Sequence, residues 1–126
     1  MSHDAHHEHL IQEVKELFDP ILTNSPQAMY IYLDDTHKIC NQKFADLLGY
    51  TSIDEWASNE SALDDVVESD QHKVVEAYMH ASQNLEASTL SVMVKNKNGE
   101  EIKVNMIMTP FPYQGEIFAV HFISKI

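Results

Sequence analysis

Residues 24–49 read NSPQAMYIYLDDTHKICNQKFADLLG. Met29 to Leu33 alternate with a period of two as a strand, Thr36 and His37 make a turn, and Ile39-Cys40 form a short return strand. Asn41 then opens a helix with Phe44, Leu47 and Leu48 on one side, and Gly49 closes it as a C-terminal cap. No other stretch of the chain carries so many ordered signals in so few residues.

Working outward toward the N-terminus, residues 4–18 predict an amphipathic helix. Leu10, Ile11, Val14, Leu17 and Phe18 recur at helical spacing, and Asp4 can cap the start. Asp19 precedes Pro20, which predicts the end of the regular helix there, with Ile21 and Leu22 extending the apolar stripe. A lone helix of this length is marginal in water, so the stripe must pack on the domain or on a second copy of the chain. This segment, residues 1–22, is read as an extension of the main domain, residues 23–126.

Toward the C-terminus, Ser52-Ile53-Asp54-Glu55 is a capping-box pattern, which predicts a short helix carrying Trp56. Ala62 to Val67 predict a further helical turn. Asp70 to about Gln83 predict a longer helix with Val74, Val75, Tyr78 and Met79 on its apolar side. The last forty or so residues are β in pattern. Leu90, Val92 and Val94 alternate, and Asn98-Gly99 suggests a type I′ hairpin. Ile102, Val104, Met106 and Met108 alternate down the next strand, which Pro110 and Pro112 are expected to break. Gln114-Gly115 turns the chain into a last strand, Ile117 to Ile123, apolar on both faces and therefore central or covered on both sides. Strands separated by a helical block imply an α+β fold with an antiparallel sheet shared between the two ends of the chain.

Composition narrows function by exclusion. The chain has 126 residues, a net charge of −12 and eight basic residues, all of them Lys. Such a surface repels phosphate backbones and lacks the bidentate guanidinium grip, so neither nucleic acid nor an anionic membrane surface is an expected partner. No apolar run approaches the roughly 18 residues of a membrane helix, and the His-rich, acidic N-terminus has no apolar signal region. The expected location is the cytoplasm. The single cysteine, Cys40, permits no internal disulfide.

This arrangement resembles the PAS domain family over about Leu22 to Ile126. The matching pieces are Asn24-Ser25-Pro26 before the first strand, Asp34 closing it, Asn41 eight residues before Gly49-Tyr50, Ser69-Asp70 at the start of the long helix, and Lys97-Asn98-Gly99 between the third and fourth strands. The resemblance implies a PAS fold: a five-stranded antiparallel sheet with short helices packed on one face. The usual Gly of the first hairpin is replaced near His37, and the second strand looks about two residues short. The chain stops at Ser124-Lys125-Ile126 in place of an Asp-Ile-Thr ending, so a stand-alone domain is expected.

The resemblance also implies a small-molecule site between sheet and helices. Met residues are flexible gap fillers. Together with the aromatic residues they nominate a pocket of Phe44, Leu48, Trp56, Val75, Tyr78, Met79, Met93, Met106 and Met108, with His121 as a polar group in the last strand. Cys40 lies in neither a Gly-x-Asn-Cys flavin motif nor a chromophore-attachment context, and reads as a buried structural thiol. His72 and His80 lie on the long helix, where haem-binding relatives keep an axial His, and are the haem candidates. His3, His6, His7 and His9 carry the spacing of a helical metal pair, but termini fray and no specific metal site is assigned to them. Asp64, Asp65, Glu68 and Asp70 lack the alternating ligands and central Gly of a calcium loop. No nucleophile context or acid–base pair emerges, so an enzyme is not expected.

The reading that results is a sensory PAS module whose ligand, of unknown identity, is a small apolar or aromatic molecule. Occupancy would be transmitted through a homodimer formed by Leu10, Ile11, Val14, Leu17 and Phe18, or through a signalling partner on a separate chain. The alternative is a ligand-free interaction domain whose cavity is filled by side chains.

Overall fold

The computed structural model describes residues 3–126, with side chains from Ala5 onward. The expected Asp4 cap and the His3 member of the N-terminal cluster concern side chains outside the described residues. The element order is α1 (His3–Asn24), β1 (Ala28–Tyr32), β2 (Lys38–Cys40), α2 (Gln42–Leu47), α3 (Ile53–Ala57), two 3-10 turns (Ala62–Asp65 and Glu68–Asp70), α4 (Gln71–Asn84), β3 (Ser88–Lys95), β4 (Glu101–Tyr113) and β5 (Glu116–Lys125). The five strands form one antiparallel sheet in the order β2-β1-β5-β4-β3. β5 is central, as its two apolar faces require.

The sheet is covered on both faces. On one side Tyr30, Met106, Met108, Ala119 and Ile123 meet Phe44, Trp56, Val74 and Ala77 from α2, α3 and α4 and Leu48 at the C-cap of α2. On the other, Met29, Ile31, Phe118 and Val120 meet Leu10, Ile11, Val14 and Leu22 of α1. The period-2 alternation of β1 delivers Tyr30 to the first core and Met29 and Ile31 to the second.

Two expectations of chain breakage are corrected. The helix does not end before Pro20; it runs through it to Asn24. A proline inside a helix removes one hydrogen bond and costs about 3 kcal/mol. Here the helix is seated on the sheet on both sides of the proline, by Val14 before it and Leu22 after it, both buried. The last turn is closed by Asn24 Nδ2 donating to the Pro20 carbonyl at 2.8 Å and by Ser25 N donating to that of Ile21 at 2.8 Å. Likewise β4 is not broken by Pro110 and Pro112, which pair with Ala119 and Ile117 of β5. β3 begins at Ser88 opposite Met108, so both prolines fall where β4 has one unpaired edge.

The hairpins exchange roles with respect to the sequence reading. At Asn98-Gly99 only Gly99 has positive φ, +84°, and the loop is held by the Asn96 side chain, whose Oδ1 accepts from the amides of Asn98 and Glu100 at 3.0 Å each. The two-residue turn with positive φ at both positions is Gln114-Gly115, at 51° and 83°, directly between the paired residues Tyr113 and Glu116.

Candidate functional site

Asn41 shows how the domain is assembled around the helical face. It is the N-cap of α2, its Oδ1 accepting from Phe44 N at 3.0 Å. The same oxygen accepts from Met29 N at 3.0 Å, and Nδ2 donates to the Gln27 carbonyl at 2.9 Å. One buried side chain therefore caps a helix and pins it to the first strand. Ser52 caps α3 by accepting from Glu55 N at 3.1 Å, and the Glu55 carboxylate reaches back to Thr51 N at 2.7 Å, one residue beyond the position a capping box would use.

Trp56 of α3 is fully buried and donates its indole N–H to Asp65 Oδ2 at 2.7 Å, while Tyr50 OH donates to Asp65 Oδ1 at 2.7 Å. Burial raises the Asp65 carboxyl above its ordinary range, and the two donors act against that shift. Lys38 is 3% exposed. Its Nζ donates to the carbonyls of Asp35, Ala57 and Asn59, and it stands 5.5 Å over the Trp56 ring. Burial lowers its pKa. A buried ammonium held by three carbonyls ties the end of α3 to the β1–β2 turn.

Beside this helical block lies a cavity of about 170 Å³ between the sheet and α4. Its walls include Tyr30 and Tyr32 of β1, Met108 of β4 and His121 of β5. Asp35, Leu63, Val74, Val75 and Tyr78 complete them from the turns and α4. The polar groups converge from three directions. Asp35 Oδ1 accepts from Ala62 N at 3.1 Å, and Tyr78 OH reaches the Leu33 carbonyl at 3.4 Å. His121 is 2% exposed and its ring lies stacked on Tyr30, with Nδ1 3.0 Å from the Ala119 carbonyl. Burial drives its pKa down to about 3, against the opposing pull of the Ala119 and Tyr30 carbonyls, so the imidazole is neutral and Nδ1–H donates to Ala119.

The structure divides the predicted pocket set. Val75, Tyr78, Met108 and His121 line the cavity. Phe44, Leu48, Trp56 and Met106 are buried in the adjoining core instead, with Phe44 and Trp56 packed edge to face at 5.0 Å. Met79 is 48% exposed and shares a face of α4 with Val75, itself 42% exposed at the cavity's rim, but it does not line the cavity. Met93 faces away from α4, because it is Leu90, Val92 and Val94 that turn toward the helices. Tyr30, Tyr32 and Asp35 were not picked out from the sequence; the alternation of β1 with respect to Met29 and Ile31 is the signal that places both tyrosines on one face.

His72 and His80 are both exposed on α4, and His80 pairs with Glu86 at 3.6 Å. Neither lines the cavity, whose volume is well below the ~300–1,000 Å³ of sites for larger ligands. Cys40 is 3% exposed, and burial pushes its thiol up to about 12, which fits an inert core residue.

The dimer stripe is also redistributed. Leu10, Ile11 and Val14 are 2%, 4% and 0% exposed, covered by the chain's own sheet. Phe18 is half-buried against Phe111, at 5.2 Å between ring centroids. Leu17 and Ile21 remain outward, 57% and 50% exposed. Of the N-terminal histidines, His9 pairs with Glu13 within α1 at 2.8 Å, whereas His7 turns inward to the β1–β2 turn.

A five-stranded antiparallel sheet in the order β2-β1-β5-β4-β3, a helical layer on one face and a cavity beneath the longest of those helices define a PAS domain. The chain belongs to the family described as UPF0242 C-terminal PAS-like domain, which it matches over residues 2–125. Against curated proteins there is no match. Among solved structures it is similar to a PAS domain from a two-component sensor histidine kinase, at 19% identity and a TM-score of 0.70, covering 91% of this chain and 99% of that one. The PAS domain of the HTR-like protein from Haloarcula marismortui aligns at 19% identity and a TM-score of 0.70, over 97% of this chain and 99% of that one. The Drosophila melanogaster Cycle PAS-B domain with bound ethylene glycol aligns at 15% identity and a TM-score of 0.68, over 79% and 99%. Among the described residues no helix is long and apolar enough to cross a membrane.

Proposed function

We propose that this domain is a sensory module that takes a small, largely apolar or aromatic molecule into the cavity under α4. The observation that carries this reading is the cavity itself. Its 170 Å³ is the liquid volume of about five or six water molecules. Apolar walls from Leu63, Val74 and Met108 surround a few fixed polar groups, the composition expected of a ligand site. Asp35 and the tyrosine hydroxyls favour a ligand with one hydrogen-bonding group. The bound ethylene glycol of the Cycle PAS-B structure is an example of a ligand of this size in a domain of the same fold. Native mass spectrometry of the untagged protein purified from cells tests the proposal, followed by amide-resolved NMR titration with phenol and ethylene glycol. We expect a bound mass, or shifts centred on Tyr30, Tyr78, Met108 and His121 that disappear in Met108→Trp. No bound mass and no shifts at those residues would refute it.

A second reading rests on a different observation. Leu17 and Ile21 lie one helical turn apart on the outer side of α1 and are both more than half or half exposed. In this reading the chain works by association through that pair, with a second copy or with a signalling partner. Sedimentation of wild type against Leu17→Ser/Ile21→Ser discriminates: a dimer lost in the variant supports association, and a monomer in both removes the homodimer.

A further inference from the structure

His7 and His37 come from segments 30 residues apart and meet as two of the most deeply buried polar side chains of the domain, at 5% and 4% exposure. Their rings stand edge to face, 5.7 Å between centroids. Asp34 lies between them: its Oδ2 is 2.6 Å from His7 Nδ1 and its Oδ1 is 2.7 Å from His37 Nδ1. Two carboxylates flank the trio, Glu116 Oε1 at 2.9 Å from His7 Nε2 and Glu8 Oε2 at 3.6 Å from His37 Nε2. Taking one ligand atom from each of His7, Asp34 and His37, all three lie within 4.8 Å of one another.

We propose that His7, His37 and Asp34 form a binding site for a divalent first-row transition cation, with Glu116, on the opposite ring nitrogen of His7, holding that imidazole in place. Two imidazoles and a carboxylate are the donor set that suits zinc and its neighbours, while magnesium and calcium prefer all-oxygen shells. The ring orientations are held independently of any ion. Asp34 accepts from the amides of Thr36 at 3.0 Å and His37 at 2.8 Å, which fixes its carboxylate in the turn. Such hydrogen bonds to a ligating carboxylate are the supporting shell that metal sites use. Tetrahedral ligands with bonds of ~2.0–2.1 Å stand about 3.3 Å apart, so admitting the ion requires the 2.6 and 2.7 Å contacts to open by about 0.6 Å. The side chain of Asp34 is 36% exposed, which leaves the ion a way in. The chain's net charge of −12 draws cations to this surface. The site shares no residue with the lining of the cavity under α4.

The test uses the full-length chain without an affinity tag, stripped with EDTA and titrated with zinc chloride by calorimetry. We expect one zinc per chain, with magnesium producing no heat at the same concentration. His7→Gln and His37→Gln should each weaken binding by more than about 100-fold, since even the hydrogen-bond partners of ligands are worth ~10- to 100-fold. His6→Ala/His9→Ala should leave it unchanged. Absence of zinc binding overturns the proposal in favour of a metal-free histidine–carboxylate cluster. Zinc binding lost only in His6→Ala/His9→Ala overturns it in favour of adventitious capture by the helix surface. Should the histidine variants fail to fold, cobalt(II) added to the wild type decides: intense visible bands displaced by zinc support the site, and the spectrum of aqueous cobalt overturns it.

Discussion

The imidazole of His121 lies flat on the phenol ring of Tyr30, 3.7 Å between centroids and 12° between planes. The two are cross-strand partners on β5 and β1, so the stack follows from the register of the central pair. The neutral ring lines the cavity together with Asp35, Tyr32 and Tyr78.

A pH dependence follows. The folded-state pKa of His121 is about 3, below its ordinary 6.5. The unfolded chain therefore binds a proton that the folded chain refuses between those values. The stability contributed by keeping this ring neutral is complete above pH 6.5 and falls as the pH drops toward 3, by up to about 1.4 kcal/mol per pH unit. Urea melts from pH 7.5 to 4.5 should show a steeper loss for wild type than for His121→Leu. Parallel slopes would contradict the assignment.

Asn41→Ala should destabilise by about 2–4 kcal/mol, the sum of a lost cap and of buried Met29 and Gln27 backbone groups left without partners. Asn41→Asp keeps the acceptor for both amides and removes only the donor to Gln27, so it should lose less. Chemical denaturation of the two variants checks the order.

Trp56→Phe retains most of the ring contact with Phe44 and Tyr30 but deletes the donor to Asp65. A hydrogen bond to a buried carboxyl is worth about 1.5–3 kcal/mol, and that loss should appear in the denaturation midpoint. A variant as stable as wild type would mean that Tyr50 alone satisfies Asp65.

Removal of residues 1–22 uncovers Met29, Ile31, Phe118 and Val120, all nearly inaccessible beneath α1. We expect the truncated chain to aggregate rather than to become a folded monomer. Val14→Asp, which buries one unpaired charge in the same layer, should cost about 3–5 kcal/mol. Size-exclusion chromatography with circular dichroism distinguishes aggregation from clean loss of a dimer.

The order of elements was legible because each carries its own local signal: Asn41 and Gly49 bracket α2, Ser52 opens α3, and β5 is apolar on both faces. What stayed hidden were matters of one surface against another. The stripe Leu10-Ile11-Val14 announces that it must be covered, but its spacing is the same whether a sheet or a second helix covers it. Pro20 reads as a stop because the sequence does not show the sheet that holds the helix on either side. The cavity was half legible. Val75, Tyr78, Met108 and His121 line it, while Met79 and Met93 were misplaced: Met79 shares the face of Val75 but lies beyond the cavity along α4, and on β3 a single position reverses the face. His7 with His37 could not be read, since nothing in a helix and a turn 30 residues apart marks them as neighbours.

Asp34 and Asp35 are consecutive, yet they look in opposite directions. The first holds His7 and His37 under the N-terminal helix, and the second lines the cavity and receives Ala62 N. A single peptide unit is thus all that separates the two sides of the sheet at this turn. A molecule that engages Asp35 acts on a backbone that Asp34 shares, and whatever seats α1 through Asp34 acts back on Asp35. Any effect of one on the other must be matched in reverse by the same factor, because linkage between two binding events is reciprocal.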